Sequence, residues 1–103
     1  MKEFYSKIKN KKLANQNQKK KELWDVEGIL HNQSFKFDLR PIKNNGKIGS
    51  FYTKADKMVF DMKDQYIIVD IEELHAYIKT NKLKDLYLEE LISKLEWNII
   101  LPK

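Results

Sequence analysis

The stretch KMVFDMKDQYIIVDIEELHAYI, Lys57 to Ile78, carries the signals that decide the fold class. Lys57-Met58-Val59-Phe60 and Tyr66-Ile67-Ile68-Val69 are short runs rich in β-branched and aromatic residues, and the polar segment Asp61 to Gln65 separates them. That arrangement predicts an antiparallel hairpin. Tyr66 to Val69 has no polar alternation, so its strand is expected to be covered on both faces. Asp70 then has the chemistry of a helix N-cap, with Glu73 three residues on as in a capping box and Ile71, Leu74 and Ile78 as a buried stripe. Strands that run straight into a helix point to α+β architecture rather than parallel α/β units.

Toward the C-terminus the helix is expected to stop near Thr80-Asn81. A second helix is expected over Asp85 to Glu96, where Leu88, Leu91, Ile92 and Leu95 recur at helical spacing. Trp97 to Leu101 reads as a short final strand before Pro102. Toward the N-terminus the period becomes two. Trp24, Val26 and Leu30 oppose Asp25 and Glu27, and Phe35, Phe37 and Leu39 alternate with Lys36, Asp38 and Arg40, predicting a hairpin around His31-Asn32-Gln33. Pro41 marks the end or edge of a strand. Asn44-Asn45-Gly46 predicts a second turn, followed by strand residues Ile48 to Thr53. Met1, Phe4, Tyr5 and Ile8 form a narrow apolar stripe, so Lys2 to Ala14 is expected to be a short helix, with a loop from Asn15 to Lys21.

The 103 residues make one expected domain, 1–103, with 1–21 as its basic helix and linker. The fold class is α+β, winged helix-turn-helix-like: an N-terminal helix, antiparallel hairpins, a C-terminal helix pair and a short final strand. A chain this size buries about two thirds of its unfolded surface, enough for one modest core. There are no cysteines, which excludes disulfides and thiolate metal sites and fits a reducing compartment. The longest uninterrupted apolar run is Tyr66 to Val69, far below the roughly 18 residues of a membrane span. No apolar segment follows the N-terminal lysines as a signal peptide would require. A cytoplasmic location without membrane association is expected.

The net charge of +5 divides unevenly: residues 1–57 hold 14 basic and 6 acidic side chains, and residues 58–103 hold 6 basic and 9 acidic ones. Met1 to Lys21 alone has eight lysines against Glu3. A block of this kind suits a polyanion, because each lysine near a phosphate releases a condensed counterion; its bland alternative is a solvated, solubilising tail. Arg40 is the sole arginine among the 20 basic residues. Lysine attracts phosphate as a point charge and lacks the planar fork that reads guanine edges, so affinity for the backbone is expected first.

Catalytic signals are thin. His31 and His75 fall on separate elements and read as a turn residue and an exposed helical one. Gly46-Lys47-Ile48-Gly49-Ser50 lacks the spacing of a phosphate loop, and no Gly-x-Ser-x-Gly elbow occurs. Asp61-Met62-Lys63, with Asp38 or Asp56 upstream, has the Asp-x-Lys step of metal-dependent nucleases, but it falls where a turn is predicted. No enzymatic activity, cofactor or metal is expected.

The helix pair over Asp70 to Glu96 has the proportions of a helix-turn-helix, yet Asp85, Glu89, Glu90 and Glu96 outnumber Lys84 and Lys94 on its second helix and would repel phosphate. The basic hairpin region is better suited. Lys36, Arg40, Lys43, Lys47 and Lys54, with Asn44, Asn45 and Tyr52, are expected to form a ribbon against DNA, with N-terminal lysines such as Lys9 and Lys12 on phosphates. Arg40 is the expected base reader, and Gln33, Asn44 and Asn45 can pair with adenine edges.

The basic N-terminal helix, the Lys36 to Lys54 wing and the Asp70 to Glu96 helix pair resemble the small winged-helix-type relaxosome accessory proteins of clostridial conjugative plasmids. The likeness spans most of the chain and rests on size, element order and charge. It implies binding of a plasmid origin of transfer by a homodimer through the wing, here Lys36, Arg40, Lys43 and Lys47, with a relaxase or other DNA-processing protein as partner. The expected function is therefore sequence-specific binding of double-stranded DNA. The alternative is a small phage or plasmid product that binds and inhibits a host protein through the acidic face of Asp85, Glu89, Glu90 and Glu96.

Overall fold

The computed structural model describes residues 2–41, 47–48, 52–83 and 85–103, with the backbone alone for Lys2, Lys47 and Ile48. In chain order these form α1 (Lys2–Tyr5), β1 (Lys9–Leu13), α2 (Gln16–Lys21), β2 (Val26–Leu30), β3 (Gln33–Pro41), β4 (Lys47–Ile48), β5 (Lys57–Asp61), β6 (Gln65–Asp70), α3 (Ile71–Asn81), β7 (Leu86–Tyr87), α4 (Leu88–Lys94) and β8 (Asn98–Pro102). The α+β class holds. Six strands make one mixed sheet in the order β1-β2-β3-β5-β6-β8, and β4 and β7 make a separate two-stranded sheet.

The period-two pattern fixes what each face buries. Met58 and Phe60 of β5 and Ile67 and Val69 of β6 project to one face, where Ile71 and Leu74 of α3, Leu86 of β7 and Leu88, Leu91 and Leu95 cover them. Val59, Tyr66 and Ile68 project to the other, joining Val26, Leu30 and Phe37. Both central strands are thus buried on both sides, as the unbroken run Tyr66 to Val69 predicts. The β2–β3 hairpin also forms where expected, and His31 and Asn32 both take positive φ, 50° and 67°, as a tight two-residue turn requires.

The N-terminal segment closes the second face. Phe4 is fully buried, its ring edge-on to Phe37 at 5.2 Å and to Tyr66 at 5.3 Å, and Ile8 lies over β2. Gly28 makes that approach possible, since a Cβ there would stand 2.7 Å from Ile8 Cδ1 and 3.1 Å from its Cβ and Cγ1.

One cation is buried inside the sheet. Lys57 is 5% exposed, its ammonium 2.6 Å from Asp70 Oδ1 and packed on Trp97 at 3.7 Å and Phe35 at 4.7 Å from the ring centroids. Asp70 Oδ2 meanwhile accepts the Glu73 N–H at 3.0 Å, the predicted cap. The Glu73 carboxylate does not turn back to the cap as the box motif implied. It accepts the backbone N–H groups of Glu96 and Trp97 and ties α3 to the start of β8.

Four expectations change. Lys2 to Ala14 is not one helix: the apolar stripe ends at Ile8, and Lys9–Leu13 gains more by pairing with β2 as an edge strand. The expected loop after Asn15 is helical, because Asn15 and Gln18 form a reciprocal capping box. β3 and β4 do not form the expected wing: β3 lies between β2 and β5 and pairs with β5 in parallel, while Lys47 and Ile48 pair with Tyr87 and Leu86. The same pairing puts strand β7 where the second helix was expected to begin, so α4 covers only Leu88–Lys94 and the helix-turn-helix proportions are lost.

Gly28→Ala is expected to cost about 1–3 kcal/mol, because the added methyl overpacks against Ile8. Urea unfolding measures it, and the penalty should shrink when Ile8→Ala is present in the same chain; strict additivity would rule out the contact as its cause.

Candidate nucleic-acid interface

β1 is an edge of the six-stranded sheet, and all five of its residues are exposed. Its sequence, Lys-Asn-Lys-Lys-Leu, has little apolar surface to bury, so one free edge with charge on it is the arrangement it tolerates. The register slips between Lys9, opposite Ile29, and Lys12, opposite Glu27, and Asn10 takes a φ of 52° in the resulting bulge. α2 follows at once and is capped by Asn15, whose Oδ1 accepts the Gln18 N–H at 2.8 Å while Gln18 Oε1 accepts the Asn15 N–H at 2.9 Å. Its last turn presents Lys19, Lys20 and Lys21.

Six exposed lysines therefore lie on one strand and the adjoining helix: Lys9, Lys11, Lys12, Lys19, Lys20 and Lys21. None of them forms an ion pair with another described residue. Lys11 leans over the Tyr5 ring at 5.7 Å. Two further predicted residues join this surface through Glu22, which ends α2. The Lys36 ammonium is 3.9 Å from the Glu22 carboxylate and 5.3 Å from the Trp24 ring centroid, and the Lys54 N–H donates to the Glu22 carbonyl at 2.9 Å. Acidic residues of the second half lie elsewhere, among them Glu72, Glu73, Glu89 and Glu90 of α3 and α4, the helices that cover one face of β5 and β6.

Of the predicted site residues, Lys9, Lys12, Lys36 and Lys54 come together. Gln33 does not; it stands exposed at the β2–β3 turn, beside Trp97. Tyr52 is 64% exposed and lies against His75, Ile78 and Lys79 of α3. Lys43, Asn44 and Asn45 lie outside the described residues, and Lys47 is placed by its backbone in β4. Lys11 and Lys19 to Lys21 complete the surface that composition indicated only as a block. The signal that organises them is the Asn15-x-x-Gln18 box.

Arg40 occupies a different environment from the one expected of a base reader. Its Nε and Nη2 donate to Oδ1 and Oδ2 of Asp38, both at 2.7 Å, a bidentate fork on a carboxylate that is 3% exposed. The hydrogen bond to Asp38 raises the Arg40 pKa, outweighing the lowering effect of burial. The planar fork assigned to a guanine edge thus holds a buried acid of its own chain. Asp61, the acid of the Asp-x-Lys step, ends β5 and binds the Lys103 ammonium at 2.7 Å. No cluster of three or more metal-ligating side chains occurs among the described residues, and no described helix is long and apolar enough to cross a membrane.

No protein-family model, curated protein or solved structure matches the chain.

Removing either partner of the Arg40–Asp38 pair strands the other in a largely buried site. Asp38→Ala and Arg40→Ala are each expected to lower unfolding free energy by about 2–4 kcal/mol, with the double variant well short of the sum. Chemical denaturation of the four-member cycle checks this, and additive losses would mean that the fork contributes nothing as a pair.

Proposed function

We propose that the protein is a non-enzymatic, cytoplasmic DNA-binding accessory protein that seats the phosphate backbone of double-stranded DNA on the β1–α2 edge, with Lys36 and Lys54 extending the contact. The observation that carries this reading is the set of six exposed lysines with no ion-pair partner among the described residues. Unpaired ammonium groups at a sheet edge can approach phosphates without first breaking a salt bridge, and binding releases counterions. A five-residue strand extends about 17 Å, long enough to follow several phosphates along one backbone.

Sequence preference has to come from groups other than lysine. Gln33 at the hairpin turn, with Asn44 and Asn45, is assigned that part. Arg40 is left to the fold, since its fork is engaged by Asp38. The origin-of-transfer role and the homodimer implied by the resemblance were attached to a basic ribbon, and β3 pairs with β5 in place of it. The proposal rests on the lysine edge instead, and the acidic α3–α4 end is the surface left for a relaxase or other protein partner.

Fluorescence anisotropy of labelled duplexes at about 50 and 200 mM salt tests the reading. The wild-type protein should lose affinity steeply between the two. The triple variant Lys9→Gln, Lys11→Gln, Lys12→Gln should bind more weakly and flatten the slope of log affinity against log salt by about 3. Weak binding with the same slope in both proteins would remove DNA from the edge and favour the host-protein reading at the acidic end.

A further inference from the structure

Beside the basic edge there is a cavity with a different chemistry. It lies where the β2–β3 turn meets the start of β8, has a volume of about 290 Å³, and is lined by His31, Gln33, Phe35, Glu96, Trp97 and Asn98 together with Leu30 and Ile99. That volume is at the small end of ligand-sized clefts, enough for one planar heterocycle.

Its walls are preorganised. Trp97 is held by the Lys57 ammonium 3.7 Å from its ring centroid, by an edge contact to Phe35 at 6.3 Å between centroids, and by the Glu73 carboxylate on its backbone N–H. Asn98 donates its amide N–H to the carbonyls of Leu95 at 2.8 Å and Ile92 at 3.3 Å, which commits its donor and turns its oxygen into the available acceptor. The side chains of His31, Gln33 and Glu96 make no hydrogen bond to any described residue. Aromatic surface, a carboxylate, two amides and an imidazole thus line one small space, and the His31 imidazole, the Gln33 amide and the Glu96 carboxylate are unengaged within the described residues.

From this arrangement we infer that the cavity binds a single unpaired guanine base, read by the Glu96 carboxylate on its Watson–Crick edge and by Gln33 and His31 on its O6/N7 edge. The argument is one of complementarity. A carboxylate accepts two parallel hydrogen bonds, and guanine alone among the DNA bases offers adjacent donors, N1–H and N2–H₂, on that edge. Adenine, cytosine and thymine each place an acceptor beside their donor and would meet repulsion. The opposite edge of guanine carries only acceptors, which suits an amide N–H and an imidazole N–H. An aromatic wall for the base and hydrogen bonds to its exposed edge are the means by which proteins hold bases taken out of a stack.

The position suits a strand already held by the lysines. Lys9 pairs opposite Ile29, next to Leu30, which lines the cavity. The inference extends the proposed DNA-binding function and rests on it for the source of the base, which is either an unpaired position in a nucleic-acid strand or a free guanine nucleotide.

The two tryptophans give two indole N–H signals in a ¹H–¹⁵N spectrum, and Trp24 serves as the internal control because it is buried in another cluster. GMP should shift the Trp97 indole saturably and leave that of Trp24 in place, with AMP, CMP and TMP weaker by about tenfold or more. Glu96→Gln, an exposed substitution that keeps the fold, should abolish the preference for GMP. An oligothymidylate strand with one central guanine should bind more tightly than GMP if the base comes from a strand, and the Lys9, Lys11, Lys12 triple variant should weaken the strand and not GMP. A Trp97 signal unmoved by millimolar GMP and by the guanine-bearing strand would overturn the inference. So would a shift equal for all four nucleotides and unchanged in Glu96→Gln. Duplex binding by anisotropy separates the two readings: GMP recognition without duplex binding keeps the pocket and removes the proposed function, and the reverse removes the pocket alone.

Discussion

Asp70 divides its two carboxylate oxygens between the sheet and the helix that follows it. Oδ1 meets the Lys57 ammonium at 2.6 Å, and Oδ2 accepts the Glu73 N–H in the first turn of α3. A lysine is costly to bury, and it persists here because a paired carboxylate and the faces of Trp97 and Phe35 replace the water it lost. The consequence reaches four elements. Lys57 belongs to β5, Asp70 joins β6 to α3, and Trp97 leads into β8, so the ion pair and its aromatic contacts tie these elements together at one point. Glu73 repeats the logic one turn on, spending its charge on the backbone entering β8.

The same economy explains how the charges separate. Acids of the second half are drawn into the structure as caps and braces: Asp70 and Glu73 hold elements, Glu90 accepts the Tyr77 hydroxyl at 2.6 Å, and Asp61 holds Lys103. The lysines of β1 and α2 stay outside any ion pair within the described residues. They occupy an edge strand, where charge protects unpaired backbone groups from adding another strand, and a short helix that follows it. A surface suited to phosphate therefore arises from the same constraint that protects the sheet from aggregation.

On the proposed DNA-binding reading, affinity and discrimination fall to different side chains. Ammonium groups on β1 and α2 attract any phosphate backbone, whereas amide, carboxylate and imidazole groups around Trp97 have the directionality to distinguish one base from another. Arg40, the residue with the best geometry for base recognition in isolation, is spent on Asp38, because a buried carboxylate without a partner would cost more than the fold could spare.

The sequence by itself determined whatever depends on neighbours along the chain. The period-two burial of Val26 to Leu30, the doubly covered run Tyr66 to Val69, the Asp70 cap and the concentration of lysines before Glu22 are all legible, because side-chain alternation and capping act within a few residues. The Asn15 box was equally local and could have been read as a helix start. Tertiary structure decided the rest. Lys9–Leu13 carries no strand signal of its own and becomes a strand through β2, and β3 turns from a wing into an interior strand because β5 offers it a parallel partner with a buried apolar face. The meeting of Lys57, Asp70, Phe35 and Trp97 follows from those pairings, and so does the cavity beside them. Contacts between segments far apart in the chain are selected by the burial of the whole sheet, and no local pattern encodes that sum.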